Sequence, residues 1–256
     1  MNRSASLAAV LSLAAVASAA GQGLVVDHAS VGRTDRIPDA TIAKVRELDV
    51  LFGHQSVGAN ILDGLGMLGP RFAIEPVIEP EATWYDENHG LGEFPVGDNE
   101  DPLGKIENFR RMIGEGGFGK RIDVAMMKLC YVDFTGDLEA ARGVYESYGA
   151  MMDALEKELP RVRFVWWTAP LMESDNAGRN EFNRLVRAHC EAHGKILFDL
   201  ADIESHDESG TPHRADGEPA LCPEWSEDGG HLSEAGRRRV ATAWWYLMAR
   251  LAGWEE

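Results

Sequence analysis

The chain has 256 residues, 45% of them hydrophobic and 26% charged, which is enough apolar material for one sizeable core. Acidic residues outnumber basic ones 42 to 25, a formal charge of −17, and a surface of that sign repels phosphate backbones and argues against a nucleic-acid role. Seven tryptophans and regular apolar runs exclude a disordered chain.

The N-terminus reads as an export signal over residues 1–20. Arg3 supplies the positive charge, Ala5 to Ala17 the apolar run, and Ala17-Ser18-Ala19 a small-residue cleavage site. The run is short for a bilayer span. The expectation is a secreted or periplasmic protein with no stable membrane insertion after cleavage. Residues 21–256 then read as one domain, since no repeat or long linker divides them.

After a polar stretch at 27–39, Val50-Leu51-Phe52 reads as a buried strand leading into Gly53, and 59–68 as a helix. Residues 72–78 make a second strand. Residues 79–101, rich in Gly, Pro, Asn and acidic side chains, read as a long loop of the kind that carries function. A helix follows at 102–113, a strand at 122–127, an amphipathic helix at 138–159, a strand at 162–168, a helix at 179–193 and a fifth strand at 196–198. A polar loop spans 203–228, and Ser233 is placed to cap a last helix ending at Leu251. Strands alternating with helices predict an α/β fold with a parallel sheet covered on both faces and a site at the carboxyl ends of its strands.

Two segments carry chemistry. Gly53-His54-Gln55-Ser56-Val57-Gly58 sits where the first strand turns into a helix. A serine there has its hydroxyl at the sheet edge and its amide at a helix N-terminus, where it can stabilise a developing oxyanion. The same position also suits a plain helix cap. Glu227-Asp228-Gly229-Gly230-His231-Leu232-Ser233 precedes the last helix. A nucleophilic serine needs a base and a carboxylate to orient that base, and an Asp and a His three residues apart on a glycine turn supply both. A solvated acidic turn with a surface histidine is the plain alternative.

Together these segments resemble the SGNH or GDSL-type esterases, which place a serine after strand one and an Asp-x-x-His pair before the final helix. Thr168-Ala169-Pro170, the run from Arg179 to Arg187, and His231-Leu232-Ser233-Glu234-Ala235-Gly236 extend the resemblance, which runs in order from about residue 49 to 251. The opening block departs from it, with Gly-His-Gln-Ser-Val-Gly in place of Gly-Asp-Ser-Leu. The resemblance implies a three-layer α/β/α, flavodoxin-like sandwich with a roughly five-stranded parallel sheet. It also implies hydrolysis of esters on carbohydrates, lipids or small acyl groups, with Ser56 as nucleophile, His231 as general base and acid, Asp228 as its partner and the Ser56 amide as one oxyanion donor.

The family's second block supplies a glycine amide to the oxyanion, and Gly90, Gly92 and Gly97 are all candidates for it. Its third block supplies an asparagine, but Lys128-Leu129-Cys130-Tyr131-Val132-Asp133-Phe134 contains none. Losing one such donor costs ~10²–10³ in rate. Asn99 and His89 in the long loop are candidates to fill the gap, and His54 to contact substrate; each also suits an ordinary turn or structural hydrogen bond. Lys128 and Asp133 are placed to pair as buried ions.

No cofactor motif or zinc spacing appears, and a metal site built from His54, His89, Asp228 and His231 would lack a compact ligand motif. Cys130, Cys190 and Cys222 allow one disulfide and a free thiol, with no pairing fixed by spacing; Cys130 reads as a buried small hydrophobe. Trp166, Trp167, Trp244 and Trp245 read as core, whereas Trp84 and Tyr85 in the acidic loop are candidates to stack on a sugar. The expected partner is a small-molecule or carbohydrate ester. The competing readings are a non-catalytic SGNH-fold binding protein and a glycan O-acyltransferase using the same triad.

Overall fold

Short apolar runs bounded by turn residues form seven strands of one sheet in the computed structural model, which describes residues 23–256. The export signal expected over 1–20 lies outside the described residues. In chain order the strands are β1 (Val25–Val26), β2 (Val50–His54), β3 (Val77–Ile78), β4 (Leu91–Pro95), β5 (Val124–Met127), β6 (Arg163–Trp167) and β7 (Ile196–Phe198). Their spatial order is β1-β7-β6-β5-β2-β4-β3, and every pairing is parallel. The helices are α1 (Asp39–Arg46), α2 (Val57–Met67), α3 (Pro102–Ile113), α4 (Leu138–Glu158), α5 (Ala177–His193), α6 (Leu200–Glu204) and α7 (Glu234–Leu251). A small antiparallel hairpin, β8 (Arg214–Ala215) and β9 (Glu218–Pro219), stands apart from the sheet.

Alternate residues of one strand enter opposite cores, as the period of two requires. Phe52 and Trp167 join Val57, Ile61, Leu65, Trp244 and Trp245 on the face covered by α2 and α7. Leu51 and Trp166 join Phe109, Tyr148 and Phe182 on the face covered by α3, α4 and α5. All five residues of β2 are therefore buried. The result is a three-layer α/β/α sandwich. Helix ends follow the local chemistry: Asp101 accepts from Gly104 N at the start of α3, and Ser233 from Gly236 N at the start of α7. No helix among the described residues is long and apolar enough to cross a membrane.

The sheet has seven strands, not about five. β1 adds an edge to β7, and β4 lies inside the segment expected to be a loop. Leu91-Gly92-Glu93-Phe94-Pro95 hides its strand character behind a glycine, an acid and a proline. Each has a place in the packing. Gly92 lies under Tyr85, whose hydroxyl donates to Val50 O at 2.7 Å; a Cβ at Gly92 would stand 2.3 Å from that hydroxyl. Glu93 faces His54 across the ladder, and Pro95 ends the strand. Conversely, the strand expected over 72–78 forms only at Val77–Ile78. α1 and the small hairpin also lie in stretches without a predicted element.

Candidate active site

The carboxyl edge of the sheet gathers the loops after β2, β4 and β5, and the turn before α7 joins them there. Ser56 follows β2 directly and precedes α2. Its backbone has φ 52° and ψ −110°, a conformation that costs energy for a residue with a Cβ and aims the side chain away from the helix axis. Its hydroxyl does not cap α2. Instead Ser56 Oγ lies 2.7 Å from His231 Nε2.

His231 is fixed from its other side. Its Nδ1 is 2.8 Å from Asp228 Oδ2, while Asp228 Oδ1 accepts from the backbone N–H groups of His231 (2.8 Å) and Gly230 (3.2 Å). The His231 backbone N–H, followed by its imidazole and then the Gly230 N–H, holds the Asp228 carboxyl below its ordinary range, so it stays ionised. Gly229 takes φ 95°, which a side chain would resist. The turn is anchored to the body by Leu232 N–H, which donates to the buried Asn60 Oδ1 at 3.1 Å, and by Gly229 O, which accepts from Glu173 N–H at 3.0 Å. The relay is nonetheless open to water: the Asp228 side chain is 55% exposed and that of His231 35%.

Two further loops flank the serine turn. Gln55 Nε2 donates to Gly97 O at 2.7 Å and brings the Gly97 peptide beside the serine turn. Neither the Ser56 nor the Gly97 amide donates to another group among the described residues. A buried pair underlies this arrangement. Lys105 Nζ lies 2.8 Å from both oxygens of Asp133, with both side chains fully buried, and also donates to Asn99 Oδ1 at 3.0 Å. The same carboxylate accepts from Glu100 N–H (3.0 Å) and Cys130 N–H (2.6 Å). Asp133 thus ties the loop after β4 to the turn after β5.

The other candidates divide by position. Gly97 is at the carboxyl edge. Asn99 is near it, with its side-chain oxygen engaged by Lys105. Gly90 is at the opposite edge, where its carbonyl accepts from Val50 N–H, and His89 sits beside it on Asp49 at 3.0 Å. Gly92 is inside β4. His54 is buried in β2 against Gly58, with Nε2 3.1 Å from Glu93 Oε2 but not aligned as a hydrogen bond. His89 and Gly90 therefore lie away from Ser56 and Gly92 is held within the sheet, whereas His54, two residues before Ser56, turns its ring to Glu93 and Phe52. The physical reason is that 79–101 is not one loop: β4 runs through it and carries its two ends to opposite edges of the sheet.

Lys128 does not pair with Asp133, which takes Lys105 instead. Lys128 is fully buried near Leu129 O and Cys130 Sγ, and burial pushes its ammonium down. The three cysteines are all buried and unpaired. Trp166, Trp167, Trp244 and Trp245 are core, at no more than 1% exposure. Tyr85 is buried, and Trp84 packs on it, lining a cleft with His89 and Gly90 at the amino edge, away from the serine. His54 and His89 are likewise too dispersed to share a metal with His231. His28, Asp202 and His206 do cluster elsewhere, but the two imidazoles stack at 3.7 Å with an 11° interplanar angle, so their lone pairs run parallel rather than converging.

Two residues of this edge, Tyr131 and Lys105, are not singled out by sequence reasoning. Tyr131 stands in the turn after β5 with its hydroxyl 3.3 Å from His231 Nδ1 and 3.4 Å from Nε2. Its position, directly after a strand pointing at the site, is the signal that could have found it.

No protein-family model matches the chain, and no curated protein does. Solved structures do. A Streptococcus pneumonia protein described as a platelet activating factor superposes with TM-score 0.50 at 15% identity, over 82% of this chain and 92% of its own. A GDSL-like lipase from Parabacteroides merdae gives 0.49 at 13% identity, over 80% and 97%. An acylhydrolase from Bacteroides fragilis gives 0.48 at 11%, over 84% and 93%. The chain shares the three-layer α/β/α fold of the first of these structures. At such identities the likeness concerns architecture, and chemistry has to be argued from the site.

Proposed function

We propose that the protein is an exported serine esterase that removes small acyl groups from carbohydrate or other small-molecule esters. The observation that carries this reading is the unbroken relay from Ser56 Oγ through His231 to Asp228, at 2.7 and 2.8 Å. Ser56 Oγ attacks the ester carbonyl while its proton passes to His231 Nε2, and Asp228 stabilises the imidazolium that forms. The negative charge gathers on the former carbonyl oxygen, where the Ser56 and Gly97 amides and the N-terminus of α2 favour it. Collapse expels the alcohol, which takes the proton from His231. Water, deprotonated by His231, then attacks the acyl-serine; as the acyl–Oγ bond breaks, His231 returns the proton to Ser56 Oγ and the acid is released.

The exposure of Asp228 and His231 favours water over a glycan hydroxyl as acceptor, since transfer requires a site that keeps water out. The binding-protein reading leaves the strained serine backbone without a purpose. Turnover of p-nitrophenyl acetate, followed with and without an added oligosaccharide acceptor, tests the assignment. The expected result is acetate release that disappears in Ser56→Ala, with no acylated oligosaccharide. Equal release by Ser56→Ala would support the binding reading, and acyl-oligosaccharide as main product the transferase.

A further inference from the structure

The segment after β5 lacks the side-chain amide that would complete the oxyanion donors, yet it delivers another donor to the same edge. We propose that the Tyr131 hydroxyl is the third hydrogen-bond donor to the oxyanion formed on Ser56, an inference that rests on the esterase reading above.

The placement is specific. The tyrosine ring meets the His231 ring edge-on, with centroids 5.5 Å apart and planes at 79°. Its oxygen is nearly equidistant from the two ring nitrogens, and therefore on neither lone-pair axis. Both nitrogens are already committed, Nε2 to Ser56 and Nδ1 to Asp228. The phenol proton is not needed by the histidine, and the hydroxyl faces the Ser56 side chain, where a substrate oxygen forms during attack.

Three features hold the group in place. Gly230 admits the ring, for a Cβ there would stand 2.8 Å from Tyr131 Cζ. Arg179 Nε donates to Tyr131 O at 2.8 Å from α5. Asp133 closes the turn onto Cys130 N–H and is itself locked by Lys105. The groups facing the hydroxyl also favour its protonated form. Partial burial and then the charge of Asp228 raise the phenol above its ordinary value, only partly offset by the Ser56 hydroxyl and the Arg179 charge, with the Cys130 thiol adding to the rise. Tyr131 is therefore a donor throughout the neutral range.

Proton and charge balance follow. As the Ser56 Oγ–carbon bond forms, the carbonyl π electrons move to oxygen and the serine proton moves to His231. Tyr131 donates its O–H to that oxygen and keeps the proton. When the intermediate collapses, the carbonyl re-forms, the carbon–alkoxide bond breaks and His231 protonates the leaving oxygen. The tyrosine returns unchanged.

Tyr131→Phe keeps the ring against Gly230 and His231 and removes only the oxygen. With p-nitrophenyl acetate, kcat is expected to fall by ~10²–10³ with KM little changed and the pH–rate profile unmoved. The Ser56 labelling rate with a fluorophosphonate should fall in parallel, and the thermal unfolding midpoint should stay within about 3 °C of wild type. Unchanged kcat overturns the proposal. A loss accompanied by a displaced pH profile also overturns it, because the tyrosine then acts through His231. Absence of Ser56-dependent turnover and labelling in the wild-type protein defeats the esterase reading and the tyrosine role together, an outcome distinct from a failure confined to Tyr131→Phe.

Discussion

Two edges of the same sheet each carry a histidine against an aspartate, and they differ in what surrounds the pair. At the amino edge His89 lies 3.0 Å from Asp49, whose carboxyl is raised chiefly by burial, and no serine among the described residues bonds the other ring nitrogen. At the carboxyl edge His231 lies 2.8 Å from Asp228, whose carboxyl is lowered chiefly by the backbone N–H of its partner, and Ser56 occupies the other nitrogen. A histidine–carboxylate contact is thus no signature by itself. What distinguishes the second is a serine hydroxyl held on a strained turn, with free amides around it and a helix N-terminus behind it.

The contrast breaks most sharply under substitution at the two edges. Ser56→Ala or His231→Ala should lower kcat/KM by ~10⁴ or more, while His89→Ala leaves it within about twofold, read as initial rates on one ester. Comparable losses at both edges would erase the distinction. The clamp beneath the carboxyl edge comes next. Lys105→Met leaves Asp133 charged and unpaired in a fully buried site, which should cost ~3–5 kcal/mol in a urea melt. Asp228→Ala should cost less in activity than loss of the serine, about 10²-fold, because water reaches the half-exposed position and partly replaces the carboxylate.

A separate effect, on stability alone, lies in a buried acid. Glu204, on α6, accepts Leu171 N–H at 2.7 Å, has no partner for its second oxygen among the described residues, and is pushed by burial from 4.5 to about 8. Its folded-state value exceeds the unfolded one, so between those values the native state holds a proton that the unfolded chain has released. Stability therefore declines as pH rises from about 4.5 to 8, by at most ~1.4 kcal/mol per pH unit from this group. Glu204→Gln should flatten that slope in melts taken across the interval.

Legibility in the sequence tracks how local the determining forces are. α3 takes the bounds the sequence predicts, because Asp101 and Pro102 mark its start and its apolar face repeats at the helical period. The cap at Ser233 and the proximity of Asp228 to His231 are local in the same way. β4 is not legible, since Gly92, Glu93 and Pro95 make sense only against Tyr85, His54 and the neighbouring strand. That one strand displaces His89 and Gly90 from the site, because the edge a residue reaches depends on how many strands lie between it and the next. The exchange of Lys128 for Lys105 as partner of Asp133 is a further long-range choice, made by α3 packing against the turn after β5. The Ser56–His231 contact joins residues 175 apart, and motif resemblance points to it where local pattern does not.

Labelling by a fluorophosphonate, mapped by peptide mass spectrometry on folded protein, tests the proposed activation of Ser56 without requiring a particular ester. The expected result is a single adduct on Ser56 that is lost in His231→Ala. An unlabelled Ser56 in folded wild-type protein, or labelling that persists unchanged in His231→Ala, would contradict it.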